Sequence, residues 1–176
     1  MELDQYTQQI RPLNEDAVTA AWTHWDSLCK PLRGMGRLEE MAVQLAGIYG
    51  TAKLGEIADL KPVVAIMGAD NGVVEEGVSQ TGSEVTAQVL ENMGDRKSSV
   101  CIMSKQMGIE VIPVNIGMFV DGKHPRIWNR VVRYGTANMA KEPAMTREEA
   151  VKAIETGIQV VKDLYEAGCR MIITGE

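Results

Sequence analysis

The spacing of apolar residues predicts two amphipathic helices at the start of the chain. Apolar side chains recur every three or four residues over Glu15–Cys29 and again over about Arg37–Lys53. Between them lies Lys30–Gly36, whose proline and two glycines interrupt a helix. Both helices precede the first strand signal, so we expect a small helical subdomain that covers residues 1–58.

From Lys61 onwards the pattern changes to short, continuous apolar runs. Such runs are typical of strands that are buried on both faces of a parallel sheet. The predicted strands are Pro62–Met67, Val111–Val114 and Met171–Thr174. Pro113 lies inside the second strand, and because proline has no backbone N–H to donate, it favours an edge position for that strand.

Helices are predicted between these strands. One or two helices cover about Ser83–Met107, with a break near Gly94, and another begins after Thr146. Thr146 and Glu149 have the spacing of a capping box, in which each side chain accepts from the other residue's backbone N–H. Strands that alternate with helices predict an α/β fold over residues 59–176. We expect a doubly wound parallel sheet of the Rossmann-like type, with three α/β/α layers.

The third predicted strand is followed at once by Gly175 and Glu176, the last residues of the sequence. Ligands of open α/β sheets bind at the carboxyl ends of the strands, where this sequence stops. Three strands also make a narrow sheet. Both features lead us to expect the N-terminal part of a longer protein.

Composition and charge narrow the possible functions. Among 176 residues, 18 Lys and Arg stand against 24 Asp and Glu, and this acidic balance argues against nucleic-acid binding. No apolar run approaches the roughly 18 residues of a membrane span, and the polar start is unlike a secretory signal. Cys29, Cys101 and Cys169 are too far apart for a disulfide framework or a zinc site. We therefore expect a cytoplasmic protein without a bound metal.

The loop after the first predicted strand carries the densest group of candidate site residues. These are Asp70, Asn71, Ser79, Thr81 and, at the start of the next helix, Gln88. Carboxylate, hydroxyl and amide groups on one loop suit the orientation of a small polar or aromatic ligand. The same residues also fit a capped loop without a ligand, with Asp70 in an Asx turn. The residue pattern alone leaves both interpretations open.

Glu176 is the second candidate, because a carboxylate at the end of a strand can act as a base. The alternative is that it is simply the last residue of the sequence. His24 and His124 have no catalytic partner in the pattern. Gly117 and Gly122 do not form a GxGxxG fingerprint, and no Walker loop is present, so these routes to nucleotide binding are disfavoured.

Four segments match, in order, the motifs of one enzyme family. Lys30–Glu39 is similar to KPxGSLGRLE, and Ala69–Thr86 is similar to ADHGV…EGVS…VT. Gly135–Thr146 is similar to GTxNM…PAMT, and Thr174–Glu176 to the opening of TGEMGIGNTT. The chain therefore resembles the N-terminal half of the nicotinate-nucleotide–dimethylbenzimidazole phosphoribosyltransferases, which make the lower ligand of cobalamin.

The resemblance implies a reaction and a set of site residues. In that family phosphoribose passes from nicotinate mononucleotide to 5,6-dimethylbenzimidazole or a related base, which gives α-ribazole 5′-phosphate and nicotinate without a cofactor. Glu176 is implied to be a second carboxylate of the catalytic site, with the main base beyond this chain, so the isolated chain is expected to be inactive. The substrate-binding residues that the resemblance implies are Asp70, Asn71, Ser79, Thr81, Gln88 and Gly175. The family also implies a homodimer.

Two structural expectations accompany the resemblance. Asp70, Ser79 and Gln88 should share one concavity at the carboxyl end of the sheet. The two N-terminal helices need a partner surface, so some of their apolar side chains should be shielded by association. The side chains concerned are Trp22, Trp25 and the methionine-rich stripe around Met41.

The sequence departs from the family pattern at several positions. Asn71 stands where histidine is commoner, Arg33 and Met35 depart from the KPPGSLG form, and Asp95–Val100 replaces a GGAAI-type run. A histidine-dependent role at position 71 is therefore not assumed. A function from a different class also stays open, namely a module that binds an aromatic base or a nucleotide without catalysis.

Overall fold

The computed structural model describes residues 4–56 and 60–176 of the chain. Two compact units are present, Met1–Asp59 and Leu60–Glu176. The predicted boundary between residues 58 and 59 lies outside the described residues. None of the helices in the described part is both long and apolar enough to cross a lipid bilayer.

The first unit is helical. Its elements are α1 (Asp4–Thr7), α2 (Glu15–Ser27), α3 (Arg37–Tyr49) and a 3₁₀ turn at Leu54–Glu56. Asn14 caps α2, because its Oδ1 atom accepts from the Ala17 N–H at 2.8 Å. Helix α3 ends before the predicted Lys53, since Gly50 adopts a left-handed conformation (φ +67°) that terminates it. The core between α2 and α3 contains Ala21, Val43 and Ala46, with Val18, Trp22 and Trp25 packed against them.

The loop between α2 and α3 closes over a buried carboxylate. Glu39 is fully buried, and its Oε1 atom accepts from the Lys30 ammonium at 2.8 Å and from the Met35 N–H at 3.0 Å. Its Oε2 atom has no hydrogen-bond partner among the described residues. The hydrogen bond from Lys30 holds the pKa of Glu39 below its usual 4.5, against the opposing effect of burial. This ion pair fixes the Lys30–Glu39 segment that resembles a family motif.

The second unit is built on a parallel four-stranded sheet. Its strands are β1 (Val63–Ala69), β2 (Glu110–Gly117), β3 (Trp128–Asn129) and β4 (Ile172–Gly175). They are arranged in the order β3-β2-β1-β4. Strand β1 is central, and its Val64 is aligned with Val111 of β2 on one side and Ile173 of β4 on the other. The three predicted strands are therefore confirmed as neighbours in one sheet.

Two features of the sheet differ from the sequence prediction. Strand β3 was not predicted, because only two residues form it and no apolar run marks it. The edge position that Pro113 favoured for β2 is wrong, since β2 lies between β1 and β3. The short β3 pairs only with Val114 and Asn115, so Pro113 stands outside that ladder and does not need to donate to it.

Helices cover both faces of the sheet, which confirms the three α/β/α layers. Helices α4 (Glu84–Gly94) and α5 (Ser99–Gln106) pack on the face that presents Val64 and Ile66, and the break near Gly94 is confirmed. Helix α6 (Arg147–Glu166) packs through Val160 and Leu164 on the opposite face. Its predicted capping box is present, with both reciprocal hydrogen bonds between Thr146 and Glu149.

Candidate functional site

A cavity of about 470 Å³ lies at the carboxyl end of β1. Its walls come from the end of β1, the loop that follows, the first turns of α4 and Glu176, which follows β4. Because β1 and β4 are parallel neighbours, with Ile66 aligned with Gly175, both strands deliver their carboxyl ends to the same edge. Residues distant in sequence therefore meet in one concave site.

Five of the seven predicted site residues line this cavity. They are Asp70, Asn71, Ser79, Thr81 and Glu176. The first four come from the loop after β1, as the strand-then-turn order of the sequence predicted. The deeper walls are apolar and include Ile66, Val85 and Leu90, whereas Asn71, Ser79 and Thr81 are solvent-exposed. The site thus combines an aliphatic interior with a polar mouth.

Gln88 and Gly175 do not line this cavity, and their role in binding a substrate stays a prediction. Successive residues of an α-helix are rotated by about 100°. Helix α4 turns Val85 and Val89 towards the cavity, and this rotation carries Gln88 to a different, exposed face. Gly175 lies within β4, where a Cβ atom would be 3.3 Å from Ile66 Cγ1. Sequence proximity to the loop therefore does not by itself bring a side chain into the cavity.

Asp70 connects the end of β1 to two other loops. It is 4% exposed, and its Oδ2 atom accepts from the Phe119 N–H at 2.8 Å. Its carbonyl oxygen accepts from the Thr136 N–H at 3.0 Å. The Gly72 N–H, which an Asx turn at Asp70 would use, donates instead to Thr136 Oγ1 at 3.2 Å. The Asx-turn alternative is therefore wrong, and Asp70 Oδ1 is left without a hydrogen-bond partner among the described residues.

The charge of the cavity limits its ligands. The ionisable side chains that line it are Asp70 and Glu176, and no Lys or Arg does so among the described residues. An acidic wall disfavours a phosphate group and favours a ligand that offers N–H or O–H donors. Nor do the described residues bring three or more His, Cys, Asp or Glu side chains together in a geometry that could hold a metal ion.

The sequence pattern missed a second set of contacts beside the cavity. The segment 135–141 packs against the 3₁₀ turn Gly72–Glu76, which directly follows the first site residues. Asn138 and Lys141 reach Glu75 and Glu76 across more than sixty residues of sequence. The one sequence signal for these contacts was the similarity of this segment to the GTxNM motif.

Comparisons with known proteins agree with this fold. A family model described as a phosphoribosyltransferase matches residues 10–176. The curated nicotinate-nucleotide–dimethylbenzimidazole phosphoribosyltransferases of Clostridium tetani and Ruminiclostridium cellulolyticum are 46% and 43% identical, over 99% and 100% of this chain. The chain belongs to this phosphoribosyltransferase family.

Solved structures of the family share the fold. CobT from Thermus thermophilus superposes with a TM-score of 0.81 at 34% identity, over 91% of this chain and 47% of that one. A second structure of the phosphoribosyltransferase from the same organism gives a TM-score of 0.82 at 33% identity, over 93% of this chain and 49% of that one. The chain also spans about half the length of the two curated relatives, 47% and 49%. The resemblance of the chain to this family is thus confirmed.

Proposed function

We propose that this chain forms the base-binding part of an enzyme that transfers phosphoribose from nicotinate mononucleotide to 5,6-dimethylbenzimidazole or a related base. The products are α-ribazole 5′-phosphate and nicotinate, in the synthesis of the cobalamin lower ligand. The observation that carries this proposal is the cavity at the carboxyl ends of β1 and β4, with an aliphatic interior and a carboxylate at position 176. Membership of the phosphoribosyltransferase family supports the same reaction.

The cavity suits the base better than the nucleotide. A benzimidazole is flat and apolar, with one ring N–H and one bare ring nitrogen, and it needs aliphatic walls and few polar contacts. Ile66, Val85 and Leu90 offer such walls, and the hydroxyls of Ser79 and Thr81 lie at the mouth. The acidic lining opposes the phosphate of nicotinate mononucleotide. Among non-catalytic alternatives, the cavity therefore favours a module that binds a base over one that binds a nucleotide.

The charge balance of the reaction gives Glu176 its role in this proposal. When the bare ring nitrogen attacks C1 of the ribose, the bond from C1 to the nicotinate nitrogen breaks, and the N–H proton of the base must leave. A carboxylate that accepts a hydrogen bond from this N–H raises the electron density on the attacking nitrogen. We assign Glu176, as the second carboxylate, to stabilise the positive charge that builds up on the ring while the new bond forms. The main base, which accepts that hydrogen bond and removes the proton, belongs by family resemblance to the part of the relatives beyond this chain.

Titration calorimetry with 5,6-dimethylbenzimidazole tests the proposal. We expect the chain to bind the base, and the double variant Ser79→Ala, Thr81→Val to bind it about tenfold more weakly, because hydrogen bonds at the mouth are lost. Gln88→Ala is the matched control and should bind like the unaltered chain, since Gln88 does not line the cavity. Absence of binding, or weakening by Gln88→Ala alone, would overturn the proposal.

The reading frame beyond Glu176 separates the enzyme from the non-catalytic module. Continuation into a sequence like MGIGNTT supports a transferase whose second half completes the site. A stop codon directly after Glu176 favours a module that binds an aromatic base without catalysis. Both outcomes are read from the gene alone, so they are independent of the calorimetry.

We further propose a cytoplasmic homodimer. All three cysteines are free thiols, with Cys29 exposed, which suits a reducing compartment. Met41 of α3 is 58% exposed beside other exposed apolar side chains of that helix, whereas Trp22 and Trp25 already pack half-buried in the core of their own unit. Association is thus better explained by Met41 than by the tryptophans. Light scattering should give about twice the 19.3 kDa chain mass, and a single chain mass at micromolar concentration would contradict it.

A further inference from the structure

The turn that follows the first cavity residues is held by side chains from a distant segment. We call this contact the clasp and define it as Asn138 and Lys141 on one side and Glu75 and Glu76 on the other. The Asn138 amide donates to Glu76 Oε1 at 2.7 Å and to Glu75 Oε2 at 3.4 Å. The Lys141 ammonium lies 3.0 Å from Glu75 Oε2 and 3.5 Å from Glu76 Oε1.

We propose that Asn138 and Lys141 are positioning residues, which hold the loop of residues 72–82 in the conformation that shapes the mouth of the cavity. They do not line the cavity themselves. Their effect passes through the loop, which carries Ser79 and Thr81 to the mouth. This inference rests on the proposed function only for the identity of the ligand, the benzimidazole base.

The clasp offsets the repulsion between two adjacent carboxylates of the turn. Glu75 and Glu76 are adjacent carboxylates, and like charges this close repel each other unless a cation or donor lies between them. Lys141 supplies the cation to both, and Asn138 supplies both protons of its amide. Without these partners the two carboxylates separate, and the turn that joins them to the cavity loses its fixed geometry.

Asn138 is built into the fold more firmly than a surface residue. It is 8% exposed, and its Oδ1 atom accepts from the Ala140 N–H at 3.0 Å, which fixes the direction of its amide protons. Thr136, two residues before it, accepts from the Gly72 N–H at the start of the same turn. The segment thus contacts the turn at both ends.

The turn is linked directly to the cavity. Val74, in the middle of the turn, lines the cavity itself. Gly77 ends the turn in a left-handed conformation (φ +72°), and Ser79 follows two residues later. Beyond Gly77, the mouth contains a weak hydrogen bond, from the Thr81 N–H to Ser79 Oγ at 3.3 Å. The position of the mouth therefore depends on where the clasp places the turn.

Hydrogen exchange and base binding together test the clasp. Lys141→Met removes the charge and keeps the length of the side chain, and Asn138→Asp adds a third carboxylate to the cluster. We expect both variants to speed amide exchange in residues 77–82, and to weaken 5,6-dimethylbenzimidazole binding about three- to tenfold, because fewer molecules hold the competent loop. Lys141→Arg should restore both properties.

Lys97→Met is the matched control. Lys97 is also an exposed lysine in an ion pair, 2.7 Å from Asp95, but it lies outside the clasp. It should change neither loop exchange nor base binding. Because Lys141 is 62% exposed, its replacement should leave the thermal midpoint of the second unit nearly unchanged.

The outcomes separate this inference from the proposed function. If the unaltered chain binds no base, the proposed function fails, and the exchange data alone decide whether the clasp holds the loop. If Lys141→Met and Asn138→Asp leave exchange in residues 77–82 as it was, the clasp does not position the loop. Faster exchange with unchanged base affinity would equally overturn the inference.

Discussion

Gly72 lies where two stretches of backbone touch. A Cβ atom at this position would be 2.6 Å from the carbonyl oxygen of Thr136 and 2.7 Å from the carbonyl carbon of Ala137. These atoms belong to the backbone and cannot rotate away as the end of a side chain can. Glycine is therefore required here by contact with segment 135–141, although nothing in the local sequence distinguishes this position from an ordinary turn glycine.

Gly72→Ala should lower the free energy of unfolding of the second unit by about 1–3 kcal/mol, because one extra methyl group forces the two backbones apart. This change is measured by urea denaturation. Unfolding is monitored through Trp128 fluorescence in a variant that lacks the other two tryptophans. A variant as stable as the parent chain would show that segment 135–141 can move away from the added methyl group without loss of stability.

The stability of the first unit depends on pH through Glu39. Its pKa is lower in the folded state than the usual 4.5, mainly because Lys30 hydrogen-bonds its carboxylate. A lowered folded pKa contributes stability above the unfolded pKa, and this contribution is lost as the pH falls through the folded pKa. The ion pair therefore stabilises the unit at neutral pH and ceases to do so in acid.

Glu39→Gln should destabilise the first unit at pH 7, and the difference from the parent chain should shrink as the pH falls below about 4.5. Urea unfolding of both proteins at several pH values, followed by Trp22 and Trp25 fluorescence, measures it. Glu40→Gln, on the exposed side of the same helix, serves as the control. A difference that grows in acid would contradict the sign of the pKa shift.

Among the elements, helix α6 is well formed, yet its stability can be increased by a substitution. Its capping box fixes the N-terminus, and Val160 and Leu164 pack on the sheet. Gly157 lies in its middle, where a Cβ atom would meet nothing within 4 Å. Glycine therefore weakens the helix there without a packing reason.

Gly157→Ala should raise the free energy of unfolding by about 0.5–1 kcal/mol, because alanine loses less backbone entropy in a helix. It is the counterpart of Gly72→Ala, with the same chemical change and the opposite sign. Urea denaturation under identical conditions compares the two. Destabilisation by Gly157→Ala would mean that this face of α6 is covered in solution.

Elements with strong local signals could be predicted, and contacts between distant segments could not. The buried strands were marked by continuous apolar runs, and the capping box by its spacing. Strand β3 has only two residues, Trp128–Asn129, and owes its extended form to pairing with β2. Four of the five predicted residues that line the cavity followed from the rule that loops after parallel strands carry ligands. The side of α4 on which Gln88 lies and the long-range contacts of Asn138 depend on tertiary structure, which no local sequence pattern predicts.

At the scale of the whole molecule, the cavity at the carboxyl end of the sheet is acidic, and no Lys or Arg lines it among the described residues. Its ionisable lining is Asp70 and Glu176. The chain spans about half the length of its curated relatives.

The 176-residue chain alone should form negligible α-ribazole phosphate from nicotinate mononucleotide and 5,6-dimethylbenzimidazole. No Lys or Arg lines the cavity among the described residues to hold the phosphate of the nucleotide, so we expect that the two substrates are not brought together. Chromatography with mass detection of the product measures turnover, with the relative from Clostridium tetani as the positive control. Substantial product from this chain would show that all essential residues are present in it.

The placement of β4 beside β1 has a consequence for how the protein folds during synthesis. Val64 pairs with Val111 and with Ile173, so the second pairing closes a much longer stretch of chain than the first. Long closures are slower and cost more entropy. On the ribosome, β1, α4, α5 and β2 emerge early enough to assemble while β4 is still inside the exit tunnel. Glu176 joins them later, so the central strands can assemble before the last wall of the cavity is in place.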